Sequence, residues 1–213
     1  MGANVLNRIP EPANLKKLMR IQAALNIILC QEDWLRYHSL VEEWDENVSM
    51  AKIENGAGDR LFILFSRDGC ILKGFDHESE FSPYAQDEHH VVQGIYDDVP
   101  EAFLRLLEDD TLEKDDVTFC IWRESSDSAW RKGDVEFADG ENDGSDFLVG
   151  CIFQTPEDFV EFAEGYFELS LSLDIVGQIY NGAPITVEMI KALNPERDIN
   201  EVLKELALLD KSR

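Results

Sequence analysis

A histidine between two acidic residues follows the second of two neighbouring apolar runs. These residues are Asp76, His77 and Glu78, and Asp59 stands immediately before the first of the two runs. Two apolar runs joined by an Asp-Gly turn predict a β-hairpin, in which the start of the first strand lies beside the end of the second. We therefore expect Asp59, Asp76, His77 and Glu78 to converge at one edge of the hairpin. A histidine among carboxylates has the residue types for a general base or for one metal ligand.

The same residues also have a structural interpretation. Turns commonly use Asp to accept hydrogen bonds from loop amides, so Asp59 and Asp76 would stabilise the loops while His77 binds a neighbouring strand. A catalytic metal site would need a second nitrogen or a third carboxylate, and the nearest histidines in sequence are His89 and His90. The sequence has no nucleophile elbow, phosphate-binding loop, dinucleotide fingerprint or zinc-protease helix motif. We therefore predict no metal or cofactor and favour a non-enzymatic function, with an enzyme built on these four residues as the alternative.

Residues 139–146 resemble the first half of a calcium-binding loop. Acidic residues stand at alternate positions and a glycine stands sixth. The twelfth position, where such loops need a bidentate Glu, is Gly150. We interpret this segment as a solvated acidic turn.

The charge of the chain is strongly negative and unevenly distributed. The formal net charge is −25, and residues 76–168 contain 27 acidic and 5 basic residues. Such a field repels phosphate backbones and anionic lipids, which argues against nucleic-acid and membrane binding. It favours a basic protein partner, although a surface that only keeps the protein in solution would have the same composition.

We predict that a basic protein binds the acidic segment, with aromatic side chains as anchors inside a charged rim. Trp122, Trp130 and Tyr84 are candidate anchors. Burial in the core is the alternative for both tryptophans, and it is favoured for Trp122, which lies in an apolar run. The predicted binding residues are Tyr84, Trp130, Asp97, Asp98, Asp139, Glu141 and Asp143.

The bulk composition predicts one folded domain over residues 1–213, with loose ends at 1–11 and 210–213. An apolar share of 44% and a charged share of 30% are typical of globular proteins. No apolar run approaches the roughly 18 residues of a membrane span, and no secretion signal is recognisable, so we expect a cytoplasmic protein. The cysteines stand far apart in apolar runs, which predicts reduced core residues. They are Cys30, Cys70, Cys120 and Cys151.

Hydrophobic periodicity assigns the elements that position these residues. Residues at helical spacing predict a helix over 33–45 with Trp34, Tyr37, Val41 and Trp44 on one face. His38 stands beside this face and is expected to be a surface or interface residue. Other helices are predicted at 14–30, 101–108, 156–169, 187–193 and 199–209, and strands at 49–53, 61–65, 70–75, 117–122, 134–137 and 147–153, with 175–180 as a connection or short strand. Helices at both ends and strands between them favour an α+β fold, an antiparallel sheet covered on one face by N-terminal and C-terminal helices.

The glycine loop at 55–59, the strand after it, Gly69 and the residues at 74–77 resemble the SUKH superfamily pattern, or that of a related bacterial family. The match covers roughly residues 48–80, and the leucine-proline step before the family's early helix is not found. SUKH domains are α+β proteins, and many bacterial members are immunity proteins encoded beside polymorphic toxins. The resemblance therefore implies a protein that neutralises a toxin, and it assigns no catalytic residue. The negative charge of the chain predicts that such a toxin is basic.

Overall fold

A computed structural model describes residues 4–136, 138 and 140–209. The strands of this part of the chain form an antiparallel sheet in the order β1 to β6. They are β1 (His38–Asp45), β2 (Val48–Glu54), β3 (Arg60–Ser66), β4 (Gly69–Phe75), β5 (Phe119–Glu124) and β6 (Arg131–Lys132). The helices are α1 (Pro12–Leu29), α2 (Glu101–Leu106), α3 (Ser145–Gly150), α4 (Pro156–Phe167), α5 (Leu173–Tyr180), α6 (Val187–Leu193) and α7 (Ile199–Leu209). The predicted α+β fold is confirmed.

The predicted hairpin is β3 and β4. Arg60 pairs with Phe75 at one end and Ser66 pairs with Gly69 at the other, so two residues form the turn. Gly69 has a φ of +139°, and a Cβ at this position would lie 2.2 Å from the main-chain oxygen of Arg123 in β5. Only glycine fits this approach of the two strands.

The first face of the sheet carries the larger hydrophobic core. Because side chains alternate along a strand, Leu61 and Ile63 point to this face, where α1 and helices α3 to α7 cover them. Within the described residues, none of these helices is long and apolar enough to cross a membrane. The segment before α1, predicted as a loose start, includes a 3₁₀ turn at Val5–Arg8 with Val5 and Ile9 buried.

The second face is also covered, which the sequence did not indicate. Phe62 and Leu64 point to this face and pack against the long segment between β4 and β5, which contains α2. The buried side chains of that segment are Ile95, Val99, Phe103, Leu107, Leu112 and Val117. This segment carries much of the negative charge, so the acidic part of the chain covers one side of the sheet.

The helix predicted at 33–45 is wrong. Residues 33–35 form a 3₁₀ turn, and β1 follows as an edge strand paired with β2. His38, Leu40 and Glu42 are buried in alternation, while Val41 is 47% exposed. The spacing of the aromatic residues imitates a helical stripe, but the burial period is two. His38, predicted as a surface or interface residue, is therefore a core residue.

Three further short elements differ from their predictions. Residues 147–153, predicted as a strand, mostly belong to α3, and 175–180 belong to α5. Residues 134–136 form no strand, and the short β6 precedes them; residue 137 lies outside the described part. Short apolar runs fit a buried strand and a buried helix equally well, since periodicity does not separate the two.

Candidate functional site

Three of the four polar residues predicted to converge at the hairpin edge do so. Asp59, Asp76 and His77 each place one potential metal-ligand atom within 4.8 Å of the others. The antiparallel register causes this, because Arg60, next to Asp59, pairs with Phe75, next to Asp76. Glu78 is outside this group, and its main-chain N–H donates to Asp76 Oδ1 at 3.0 Å.

Asp59 is the buried centre of this cluster. Its Oδ1 accepts the main-chain N–H of His77 at 2.9 Å and lies 2.7 Å from His77 Nδ1. Its Oδ2 accepts a hydrogen bond of 2.6 Å from Asn55 Nδ2. Burial raises the pKa of Asp59, but the hydrogen bonds from His77 and Asn55 outweigh it and hold the pKa below its ordinary value.

His77 and Asp76 have different environments. The His77 side chain is 44% exposed, and its hydrogen bond with Asp59 raises the pKa of His77. Burial raises the pKa of Asp76. A carboxylate that orients an imidazole through Nδ1 leaves Nε2 to exchange a proton or bind a cation. The predicted structural role is present as well, since Asp59 and Asp76 both accept from loop amides.

A loop that is far from the cluster in sequence packs against it. A Cβ at Gly144 would lie 2.3 Å from Asp76 Cβ, so the loop packs directly on Asp76. Thr118 Oγ1 accepts the main-chain N–H of Asp76 at 3.2 Å and donates to the main-chain oxygen of Asp143 at 2.7 Å. Nothing in the sequence pattern indicates this contact between segments far apart in the chain.

Three cavities of the described part of the chain do not include the cluster. A cavity of about 490 Å³ lies beside the start of α1, one of about 470 Å³ lies beside α3 and α4, and one of about 570 Å³ lies between α1 and α7. Residues other than Asp59, Asp76 and His77 line all three. The cluster lies at the edge of the sheet, where His77 is exposed and Asp59 is buried.

The second feature of the molecule is an acidic face, which we define as the exposed carboxylates of residues 87–116. This segment contains 11 acidic and 2 basic residues. Arg105 pairs with Glu101 at 2.5 Å, and Lys114 pairs with Glu108. Both cations are thus engaged inside the segment. The exposed carboxylates belong to Asp87, Glu88, Asp97, Asp98, Glu101, Glu108, Asp109, Asp110, Glu113 and Asp115.

The acidic face contains a concave site of about 420 Å³ at residues 107–116. Six carboxyl-bearing residues and Lys114 line it. The buried ammonium of Lys73 holds the loop from below by donating to the main-chain oxygens of Leu112 and Asp116, at 2.8 and 2.6 Å. At the side, Arg60 pairs with Glu113 and Asp116, each at 2.7 Å. Lys73 and Arg60, two cations of the sheet, thus hold this negatively charged loop in one conformation.

No protein-family model matches the sequence, and comparisons with curated proteins and with solved structures give no significant match. The resemblance to the SUKH superfamily therefore stays a prediction.

Three predicted binding residues lie on or beside the acidic face. Asp97 and Asp98 belong to it, and Tyr84 is 65% exposed. The Tyr84 ring meets His89 edge-on with 4.7 Å between ring centroids, and its hydrogen bond with Asp116 raises the pKa of Tyr84. An exposed aromatic ring thus stands beside the carboxylates, in the arrangement expected of an interface anchor.

The other predicted binding residues are placed differently. Trp130 is 7% exposed and donates from Nε1 to the main-chain oxygen of Pro10 at 3.2 Å, so it is a core residue. Asp143 is 4% exposed and pairs with Lys132 at 2.5 Å. Glu141 is exposed, on the loop that supports Asp76, and Asp139 lies outside the described residues. The side chains of Trp130 and Asp143 are therefore buried rather than at the surface.

An aromatic residue that was predicted to belong to a packed stripe is exposed. Trp34 is 77% exposed, next to Leu35 at 51%. The error follows from the helix predicted at 33–45, because a 3₁₀ turn directs both side chains outward.

Proposed function

We propose that this protein is a non-enzymatic, cytoplasmic binding protein that engages a basic protein through its acidic face. The observation that carries the proposal is the charge balance of residues 87–116. This segment has 11 acidic residues, and its two cations, Arg105 and Lys114, already pair with acids of the same segment. A basic partner would supply the missing positive charge.

The arrangement of these charges favours association with a large partner. Like charges held together on a folded surface repel one another, and a complementary surface relieves that repulsion and accelerates encounter. The site at 107–116 is concave, and Tyr84 offers apolar surface beside it. The exposed carboxylates supply steering and specificity, while the aromatic ring supplies apolar area. The resemblance to the SUKH superfamily supports toxin neutralisation as the specific role.

Two variants with the same net charge test this proposal. Both remove four carboxylates whose side chains make no hydrogen bond or ion pair within the described residues, so we expect both variants to fold. The acidic-face variant carries Asp97→Asn, Asp98→Asn, Asp110→Asn and Asp115→Asn. The control variant carries Glu157→Gln, Glu161→Gln, Glu196→Gln and Glu201→Gln, on the helical side of the molecule.

The measurement is affinity capture from an extract of the source organism, followed by binding of the identified partner at several salt concentrations. We expect a basic protein, released between roughly 50 and 300 mM salt because screening shortens the reach of surface charges. The acidic-face variant should bind about tenfold or more weakly, and the control should bind like the unmodified protein. An equal loss of affinity in both variants would contradict the proposal, and so would a partner without a basic surface.

A second candidate function rests on the convergence of Asp59, Asp76 and His77 within 4.8 Å. Imidazole and carboxylate ligands suit several divalent transition metals, and a bound cation would support hydrolysis by activating water. Against this, Asp59 already uses both oxygens in hydrogen bonds with His77 and Asn55. A cation would have to displace some of these bonds, so the acidic face is the stronger basis for a function.

Calorimetric titration with Zn²⁺ and Mn²⁺ tests the second candidate. If the cluster is a cation site, one equivalent binds with saturation, and Asp59→Asn abolishes the binding. Glu78→Gln serves as a control, because Glu78 lies outside the cluster and should leave the affinity unchanged. Unsaturable weak uptake, unaffected by Asp59→Asn, would show only general attraction of cations to an acidic protein and would exclude this candidate.

A further inference from the structure

The cavity of about 570 Å³ between α1 and α7 lies on the helical side of the sheet, away from the acidic face. The two helices run antiparallel. Arg20 Nη1 donates to the main-chain oxygen of Leu209 at 2.8 Å near one end. Arg197, just before α7, donates to the main-chain oxygen of Ile27 at 3.1 Å near the other end. We call this cavity the α1–α7 groove; it is lined by Lys17, Arg20, Ile21, Ala24, Ile179, Gly182, Ala183, Pro184, Ile185, Leu203, Leu206, Ala207 and Leu209.

The walls of the α1–α7 groove are mainly hydrocarbon. Ile21 and Ala24 project from one turn of α1, and Leu203, Leu206 and Ala207 lie at positions i, i+3 and i+4 of α7, on one side of that helix. Small side chains on both helices leave open space between them. Leu203 is 41% exposed although it borders this cavity. The result is an apolar trough whose surface contacts solvent.

Positive charge is concentrated at one end of the groove. Lys17 and Arg20 are its charged lining residues, and no carboxylate of the described chain lines it, although the net charge of the protein is −25. Arg20 already binds Glu42 and Leu209. Lys17 is exposed and has no ion pair within the described residues. Lys17 is therefore the side chain available to a ligand.

We propose that the α1–α7 groove binds a small molecule consisting of an apolar chain with one carboxylate, such as a medium-chain fatty acid. The chain lies along Ile21, Ala24 and Leu206, and the carboxylate lies at Lys17. The cavity falls within the roughly 300–1,000 Å³ range of small-molecule sites, and its few polar groups on an apolar lining are typical of them. The charge complementarity at Lys17 selects an anion. This site is independent of partner binding at the acidic face.

Calorimetric titration with dodecanoate tests the proposal, with dodecyltrimethylammonium as the comparison. Both probes carry the same apolar chain, and their head groups have opposite charge. We expect dodecanoate to bind at one site with a Kd on the order of 10–100 μM, at least about tenfold more tightly than the cationic probe. General attraction to a protein this acidic would favour the cationic probe. A preference for dodecanoate therefore indicates specific binding in the α1–α7 groove.

Matched substitutions locate the binding. Ala207→Phe fills the groove from an exposed position, and its control is Leu208→Phe at the next residue, which is outside the lining. Lys17→Glu reverses the charge at the head group, and its control is Lys204→Glu on the exposed side of α7. Ala207→Phe should abolish dodecanoate binding and Lys17→Glu should weaken it about tenfold or more. The two controls should bind like the unmodified protein.

The proposal is overturned by any of three results. These are no saturable binding of dodecanoate, equal or tighter binding of dodecyltrimethylammonium, and binding that Ala207→Phe leaves unchanged while circular dichroism shows a folded protein. Because none of these variants alters residues 87–116, partner capture by the same proteins tests the acidic face separately.

Discussion

The buried ammonium of Lys73 donates a hydrogen bond of 2.6 Å to the main-chain oxygen of Asp116, beneath the acidic face. A second bond of 2.8 Å reaches the main-chain oxygen of Leu112. These bonds fix a loop whose carboxylates repel one another. Lys73 is 1% exposed, so its methylene chain and its charge are both enclosed by the protein.

We predict that Lys73→Met lowers the free energy of unfolding by about 1–3 kcal/mol. Methionine fills a similar volume, but it leaves two main-chain oxygens without their donor, and an unmade buried hydrogen bond costs about that much. Urea unfolding measures the change. Lys52→Met is the control, because Lys52 is a partly exposed strand residue paired with Glu54, and such pairs contribute little. Equal stability of the two variants would mean that Lys73 does not hold the loop.

The same lysine predicts a dependence of stability on alkaline pH. Burial, assisted by the charge of Arg60, lowers the pKa of Lys73 from 10.5 to about 8. Below pH 8 the lysine is charged in the folded and unfolded chains, and its contribution is constant. Between pH 8 and 10.5 the unfolded chain retains a proton that the folded chain has lost, so this group increases the free energy of unfolding, by up to about 3 kcal/mol.

Unfolding of the unmodified protein and of Lys73→Met at pH 7 to 10.5 isolates this contribution. Buried tyrosines such as Tyr96, whose pKa is raised by burial, change the stability of both proteins in the opposite direction. The difference between the two proteins should therefore grow in favour of the unmodified protein as the pH rises. A constant difference would show that Lys73 is solvated.

His38 predicts a dependence on acidic pH. Asn26 Nδ2 lies 3.2 Å from His38 Nδ1, and His38 Nε2 lies 3.0 Å from the main-chain oxygen of Cys151. This arrangement fits a neutral ring that accepts at Nδ1 and donates at Nε2, and burial lowers the pKa of His38 from 6.5 to about 4. As the pH falls from 6.5 to 4, the unfolded chain takes up a proton first, so stability decreases by up to about 3 kcal/mol from this group.

The His38→Gln variant tests that contribution. It is less stable near pH 7 because it loses packing and hydrogen bonds, but its deficit relative to the unmodified protein should shrink on acidification. His90→Gln, at an exposed loop position, should show the same decrease in the free energy of unfolding on acidification as the unmodified protein. Parallel curves for His38→Gln and the unmodified protein between pH 4 and 6.5 would contradict a buried neutral His38.

Because Gly144 packs on Asp76, we predict that Gly144→Ala lowers the free energy of unfolding more than Gly140→Ala does. Gly144 and Gly140 both have positive φ, at +77° and +95°, so Ala is strained at either position by roughly 1–2 kcal/mol. A Cβ at Gly144 also meets Asp76 Cβ at 2.3 Å, whereas a Cβ at Gly140 meets nothing within 4 Å. Gly144→Ala should therefore cost about 1–3 kcal/mol more than Gly140→Ala in denaturant unfolding. Equal costs would show that the loop moves freely away from Asp76.

The elements that were predicted correctly are those marked by residues close together in the sequence. Thr155 and Thr186 accept hydrogen bonds at the starts of α4 and α6, from Asp158 at 3.2 Å and Met189 at 3.3 Å. The capping residues stand within three positions of their partners, so the pattern is visible in the chain. The convergence of Asp59 with His77 was also predictable, because the register of one hairpin brings them together.

The elements that were predicted wrongly depend on contacts between distant residues. β1 is a strand because β2 pairs with it, although its aromatic residues are spaced as in a helix. The segment between β4 and β5 covers the second face of the sheet because Phe103 and Leu112 pack into the core on that side. These apolar positions are difficult to recognise in the sequence because charged residues surround them. The support of Asp76 by Gly144 joins residues 68 positions apart, and no local rule relates them.

The Asp59–His77 pair provides a direct test of the cluster in solution. The hydrogen bond and charge of Asp59 raise the pKa of His77, so Asp59→Asn should lower it toward its ordinary value. A nuclear magnetic resonance titration of the His77 ring measures this midpoint. Glu78→Gln should lower it less, because Glu78 acts on the ring through charge alone and more weakly than Asp59. If Asp59→Asn leaves the midpoint unchanged, His77 does not contact Asp59, and the geometry required for a cation or a general base at this edge is absent.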